Sequence, residues 1–423
     1  MLEVFDLKKS EFLSDGSDLC DPFLLMQYDE KNGRLMLSSR FFGTAYPLYL
    51  MEDNGKLYFS DSLISIRRIS NKRFYLNTDM LPYFFYNGFL PGKHTLIQGV
   101  YKLPPRKSLV VENGRCLIDN QIFSFPSVLS ERDSLEKKYY NVMVDALTRS
   151  LGKRDSINLA LSGGFDSNML LYLVKSLFPT TKVDCFSVGG TIGTNEISTA
   201  YSIAQKYDNV NFTSALVSSS TLDSFDDIVF RLQGCTYERG IFLQYELAKM
   251  LHSHNCTHLI CGECADQVFH SDSYKDLDEG RFLYGYKESP FEMASYVVLK
   301  KSAVMLKSFG ITGIYPYLDT GVVEIGAMTR LKNGDNKAFH RQQCKKYIPK
   351  DIFNSLCKVG GSTQLLPLMD KGKDYEMLCK KSKYYDSTFR FTEKYPRQES
   401  IMDYYLSLQF IESFERQFCD ERT

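Results

Sequence analysis

Up to about residue 125 the chain alternates apolar and polar positions in short runs. The stretches "GRLMLSSRFFG", "YPLYLMEDNGKLYFSD" and "KSLVVENGRCLID" have the period of two that turns one face of a strand toward a core. Asn54-Gly55 and Asn113-Gly114 supply the positive φ that two-residue hairpin turns need. "FSFPSVLSERDS" reads as a linker. From about Leu135 the period lengthens: "SLEKKYYNVMVDALTRSL", "FDSNMLLYLVKSLF", "NEISTAYSIAQKY" and "FLQYELAKMLHSH" read as helices. They alternate with the apolar strands "INLALS", "KVDCFSVG", "NFTSALV" and "HLICG". That alternation predicts an α/β architecture, a parallel sheet with helices on both faces, behind a smaller β-rich N-terminal domain. The expected division is 1–125 and 126–423. After Ser271 the pattern is more helical, and the tail from Lys373 shows little periodicity.

At 423 residues the chain is too long for one ordinary core, which agrees with two domains. Lysine plus arginine and aspartate plus glutamate are equal at 51 each, so no charge excess recommends nucleic acid or an acidic membrane surface as a partner. The N-terminus lacks a basic segment followed by an apolar one, and no apolar run approaches ~20 residues, so a cytoplasmic protein is expected. Eleven cysteines at irregular spacing fit reduced thiols better than a disulfide framework. Cys261 and Cys264 read either as a redox pair at a helix start or, preferably, as small buried side chains about a tight turn. The six histidines, His94, His252, His254, His258, His270 and His340, show no metal-binding spacing and are expected to be structural or superficial.

The chemistry concentrates in "LALSGGFDSNMLLYLV", Leu159 to Val174. Ser162-Gly163-Gly164 stands at the carboxyl end of a strand, where ligands bind in such sheets. Glycines let backbone N–H groups approach an anion, and the following helix adds its positive end. Hydroxyls of Ser162 and Ser167 can donate to phosphate. A carboxylate at Asp166 suits a phosphate site only with a Mg²⁺ between them. "HLICGECADQVF" repeats the grammar, with Gly262 after a strand, then Glu263, then Asp266 at a helix start. Taken singly, each aspartate is more simply a helix N-cap. Two such signals about a hundred residues apart favour a nucleotide with Asp166 and Asp266 on one magnesium. The Walker pattern is absent.

"LSGGFDS" resembles the SGGxDS loop of ATP pyrophosphatases. "FSVGGTIGTNEISTAYSIAQKY", "CGECADQVF" and "FGITGIYPYLDTGVVEIGA" follow in the order of the asparagine synthetase superfamily. Upstream, "PLYLMEDNGKLYFSDSLISI" and "FLPGKHTLIQGVYKLPPRKSLVV" resemble the junction between its glutaminase and synthetase domains. The resemblance covers about residues 40 to 370. It implies a carbon–nitrogen ligase using ATP and Mg²⁺, in which a carboxylate attacks the α-phosphate and an amine then attacks the acyl-adenylate. The implied nucleotide-binding residues are Leu161, Ser162, Gly163, Gly164, Asp166, Ser167, Val188 and Gly262, with Asp166 and Asp266 on the metal.

Departures from the family pattern bear on the amine. Glutamine-dependent members expose a cysteine once Met1 is removed; this chain has Leu2, and its β-rich region is about two-thirds of the length that a glutaminase needs. No glutamine hydrolysis is expected. β-Lactam synthetase and the lasso peptide cyclases take the amine from the substrate itself, and "IQGVYKLPP" and "CKKYIPKDIFNSLCKVGGSTQLL" look most like the cyclases. The expected partners are then a precursor peptide, whose Asp or Glu side chain is joined to its α-amine, and a protease that frees that amine. A small-molecule cyclase, an ammonia-dependent asparagine synthetase and a non-catalytic binding module stay open. Lys358, before a glycine-containing turn, matches the family lysine that stabilises charge at the reacting centre. Glu263 is placed to accept the proton of an attacking amine, against the plainer reading of a carboxylate at a helix dipole.

Overall fold

The computed structural model describes residues 2–12, 24–39, 43–120, 132–152, 154, 156–190, 195–269, 282–283, 286–287, 294–333, 337–357, 365–369, 372–387 and 399–421. Of the segment read as a linker, 123–134, the part up to 131 lies outside these, and its last three residues already belong to helix Arg132–Leu151.

The N-terminal alternation produces two antiparallel sheets. One orders Glu11–Phe12, Leu2–Asp6, Lys56–Ser60, Tyr49–Asp53 and Tyr101–Lys102; the other orders Leu24–Asp29, Arg34–Ser39, Lys107–Glu112 and Arg115–Asn120. Both Asn-Gly turns have the expected handedness, with φ of +49° and +74° at Asn54 and Gly55 and +50° and +71° at Asn113 and Gly114. Phe5, Leu35, Leu37, Leu50, Phe59, Leu109 and Val111 form the core between the sheets. The opposite face of the five-stranded sheet, with Tyr49, Met51 and Tyr58, joins the larger core of the rest of the chain. One sheet thus separates two cores, because its strands are apolar on both faces.

The sheet of the following part is wholly parallel and runs Val210–Leu216, Lys182–Gly189, Ser156–Ala160, His258–Ile260, Thr312–Ile314. The chain moves outward on one side of Ser156–Ala160, then returns to its other side with His258–Ile260. The order reverses between these two strands, and a crevice opens at the carboxyl ends where such a reversal occurs. Both sequence motifs sit there. Helix Phe165–Leu177 leaves the first motif with Met169, Leu170, Leu171, Leu173 and Val174 completely buried, which anchors the loop before it.

The tail, weakly patterned in sequence, ends in a twenty-residue helix, Glu399–Phe418. Its Phe410 stacks on Phe84 at 5.4 Å between ring centroids and also meets Tyr237 and Phe225. Burial of Leu408, Phe410, Ile411 and Phe414 on more than one face of this helix accounts for the weak amphipathic signal.

Candidate active site

The Ser162 loop is tied by its own side chains. The Ser162 amide donates to Ser167 Oγ at 3.0 Å and the Gly164 amide to Ser162 Oγ at 3.2 Å. Asn168 Nδ2 donates to the carbonyls of Ser162 and Gly164 at 2.9 and 2.7 Å. Gly163 is required by a neighbouring backbone: a Cβ there would lie 2.4 Å from the carbonyl oxygen of Cys357. The Cys357 amide in turn donates to the Gly163 carbonyl at 2.9 Å.

The second loop closes on the first. A Cβ on Gly262 would lie 3.2 Å from the Ser167 amide nitrogen and 3.4 Å from Asp166 Cβ. Cys264 adopts a left-handed conformation, φ +70°, and caps the short helix Ala265–Val268. Such a backbone costs a residue with a Cβ about 1–2 kcal/mol, and packing holds it. Cys261 and Cys264 are both buried, and burial pushes both thiols up, so they rest protonated. That fits small core side chains, the reading preferred from sequence.

Asp166 and Asp266 are not N-caps. Gly164 caps helix Phe165–Leu177 and Cys264 caps Ala265–Val268, leaving each aspartate as the second residue of its helix. Their side chains converge instead on Lys337, whose Nζ lies 2.5 Å from Asp166 Oδ1 and 2.7 Å from Asp266 Oδ1. Fully buried His340 presents Nε2 to the same Asp166 oxygen at 3.0 Å and Nδ1 to the Tyr139 hydroxyl at 2.9 Å. An ionised carboxylate only accepts, so Nε2 carries the proton and Nδ1 accepts from Tyr139. Burial holds His340 below its usual pKa and outweighs the opposing pull of Asp166, which keeps the ring neutral. Phe269 stacks on the ring at 4.6 Å, and the Tyr317 hydroxyl donates to the Asp166 carbonyl at 2.9 Å.

Two carboxylates that share one ammonium can also share one metal ion, and oxygen donors are what Mg²⁺ prefers. Among the described residues no group of three or more His, Cys, Asp or Glu forms a metal cage. An ion here would complete its shell with phosphates and water, as Mg²⁺ commonly does.

These groups line a cleft of about 520 Å³, within the usual ~300–1,000 Å³ of small-molecule sites. Leu161, Ser162, Gly164, Asp166, Ser167, Val188, Gly262, Glu263 and Asp266 all face it. Gly163 supports the loop from behind. Glu263 accepts from Gln244 Nε2 at 3.0 Å. Glu238 and Lys301, unnoticed in the sequence, form an ion pair in the same cleft. Burial opposes ionisation of Glu238, but Lys301 and the Gly240 amide overcome it and hold its pKa low. Lys358 lies outside the described residues; its neighbour Cys357 is the residue bonded to Gly163. Lys337, His340 and Tyr317 also escaped the sequence reading. Lys337 precedes helix Ala338–Tyr347 with a left-handed backbone, so helical spacing gave no signal that pairs it with His340.

An asparagine synthase family model matches residues 138–287, which contain both strand-end motifs. Two asparagine synthetases described as glutamine-hydrolysing are similar over parts of the chain. The one from Bacillus subtilis is 23% identical over 242 residues, 56% of this chain and 38% of that protein. The other, a putative enzyme of Methanocaldococcus jannaschii, is 23% identical over 167 residues, 38% of this chain and 32% of that protein. Residues 138–287 are thus similar to the asparagine synthase family. The chain spans less than two-fifths of the length of either relative. Among solved structures, a glutamine-dependent NAD⁺ synthetase from Acinetobacter baumannii aligns over 95% of this chain and 80% of its own, at 10% identity and a TM-score of 0.27. In this asparagine synthetase-like chain no described helix is long and apolar enough to cross a membrane.

Proposed function

We propose that the chain uses ATP to activate a substrate carboxylate and then joins it to an amine, most specifically to close a macrolactam in a precursor peptide. The supporting observation is the convergence of Asp166 and Asp266, from two adjacent strand ends, on one cation position in the cleft that Glu263 also faces. A carboxylate oxygen attacks the α-phosphorus and the α–β bridging P–O bond breaks, releasing pyrophosphate. The amine nitrogen then forms the amide, AMP leaves with the acyl C–O electrons, and one proton leaves the nitrogen.

Asp166 and Asp266 would hold Mg²⁺, which supplies countercharge to the phosphates. Ser162, Ser167 and the amides about Gly163 and Gly164 bind the phosphates. Val188 and Leu161 line the nucleotide's side of the cleft. Glu263 accepts the amine's proton. Lys358, next in the sequence to Cys357, stabilises charge at the reacting centre, by about 3–4 kcal/mol on the scale of oxyanion donors. The peptide assignment rests on the cyclase-like segments; a protease partner would free the amine, and the cytoplasm would house the reaction.

Nucleotide chromatography after incubation with ATP, Mg²⁺ and a linear precursor peptide tests both levels. AMP and pyrophosphate with loss of one water from the peptide support the full reading. Turnover with aspartate and ammonium instead supports an ammonia-dependent asparagine synthetase. ADP and phosphate as sole products overturn the chemistry. Asp166→Asn and Asp266→Asn should each abolish AMP release without changing the far-UV spectrum.

A further inference from the structure

We infer that Lys337 is a resident counter-ion that excludes divalent metal from the Asp166–Asp266 site until nucleotide phosphates draw its ammonium away. Its Nζ stands 2.5 and 2.7 Å from one oxygen of each carboxylate. Its side chain is only 4% exposed, so the ammonium is held there by protein, not solvent. The backbone is committed to that placement: Lys337 has φ +53°, a left-handed conformation rare for a residue with a Cβ. Such a conformation persists only where the surroundings enforce it. Helix Ala338–Tyr347 begins at the next residue and brings His340 to the same Asp166 oxygen.

The consequence follows from charge. Mg²⁺ dehydrates reluctantly and is usually bound by one or two carboxylates together with substrate phosphates. Two carboxylates already sharing an ammonium present about one net negative charge, and a metal ion at the ammonium's position would be repelled by it. A triphosphate on the Ser162 loop offers new acceptors beside Asp166, and the lysine can exchange carboxylate for phosphate without leaving a buried charge unpaired. Metal and nucleotide are then taken up together. Before they arrive, the aspartates are held in place without mutual repulsion.

This inference rests on Asp166 and Asp266 as the metal-binding pair, so its test separates the two ideas. Mn²⁺ binding to the nucleotide-free full chain is followed by electron paramagnetic resonance for wild type, Lys337→Met, Lys337→Arg and Lys337→Met with Asp166→Asn. Wild type and Lys337→Arg should show no site tighter than the millimolar range. Lys337→Met should gain one site at least about tenfold tighter, and the added Asp166→Asn should remove it. Equal Mn²⁺ affinity in wild type and Lys337→Met overturns the inference. So does a gained site that survives Asp166→Asn. Should Lys337→Met not fold by thermal melting, Lys337→Gln replaces it under the same criteria. Addition of ATP to wild type should create a Mn²⁺ site; if it does not while Lys337→Met gains one without ATP, the metal-nucleotide reading fails and the exclusion stands.

Discussion

At the residue scale, the roles proposed for Lys358 and Glu263 are separable. Charge develops at the α-phosphate during adenylation and at the acyl centre during amide formation. Lys358→Ala should therefore lose ATP–pyrophosphate exchange and product together, by on the order of 100-fold or more. Glu263 touches Gln244 and is not among the residues on Lys337. Glu263→Gln should accordingly retain much of the exchange while losing product. Equal loss of exchange in both variants would assign Glu263 to the ATP or metal site. His340 carries a pH signature of folding. Burial lowers its pKa in the folded chain below the ordinary 6.5, so the unfolded chain takes up the proton first. Its contribution to stability is present above pH 6.5 and is lost as pH falls through the folded value. Between about pH 7.5 and about pH 5.5, the urea midpoint of wild type should fall more than that of His340→Gln. An equal fall in both would show that His340 takes no part.

At the scale of elements, the site is held by close backbone approaches, forbidden to a Cβ at Gly163 and tight for one at Gly262, and these lie on different segments. Gly163 meets the end of the stretch 350–357, and Gly262 meets the start of helix Phe165–Leu177. Gly163→Ala should displace Cys357, and with it the segment carrying Lys358, so activity should fall much more than the melting temperature. Helix Glu399–Phe418 acts at a distance from this chemistry. Phe410 is fully buried among Phe84, Phe225 and Tyr237, and Phe84 lies in the N-terminal part of the chain. Phe410→Ala should destabilise by about 3–5 kcal/mol. Because the packed rings join both parts, the urea curve should shift as one transition; two separated transitions would show that the parts unfold independently.

At the scale of the whole molecule, the N-terminal sheets border an open cleft of about 600 Å³, mostly apolar, lined by Leu50, Leu57, Leu109, Cys116 and Ile118. Cys116 is the cysteine of this region among the described residues, and burial, with Glu52 nearby, pushes its thiol up to about 11. A thiol held in that range is almost wholly protonated at neutral pH and a poor nucleophile. Added glutamine should therefore yield no glutamate, as measured by an enzymatic glutamate assay on the purified chain. Glutamate formation that is lost in Cys116→Ser would place an amidotransferase centre in this cleft.

The division of labour between sequence and tertiary structure follows range. Strand and helix periods, the two Asn-Gly turns and the glycine-serine loop at a strand end are local, and each was legible because neighbours in the chain decide it. That the strands run parallel also follows the alternation of elements, whereas their order, with the reversal beside Ser156–Ala160, is set by which strands pair. The sequence placed Asp166 and Asp266 at helix starts, where capping and metal binding look alike. Only the fold, which makes Gly164 and Cys264 the caps and brings Lys337 from 71 residues beyond Asp266, ruled out capping. Lys337, His340, Glu238 and Lys301 were invisible as site residues because nothing in a lysine, a histidine or a glutamate tells which distant charge it will meet. That meeting depends on burial, where an ionic group keeps its charge only beside a partner supplied by another part of the chain.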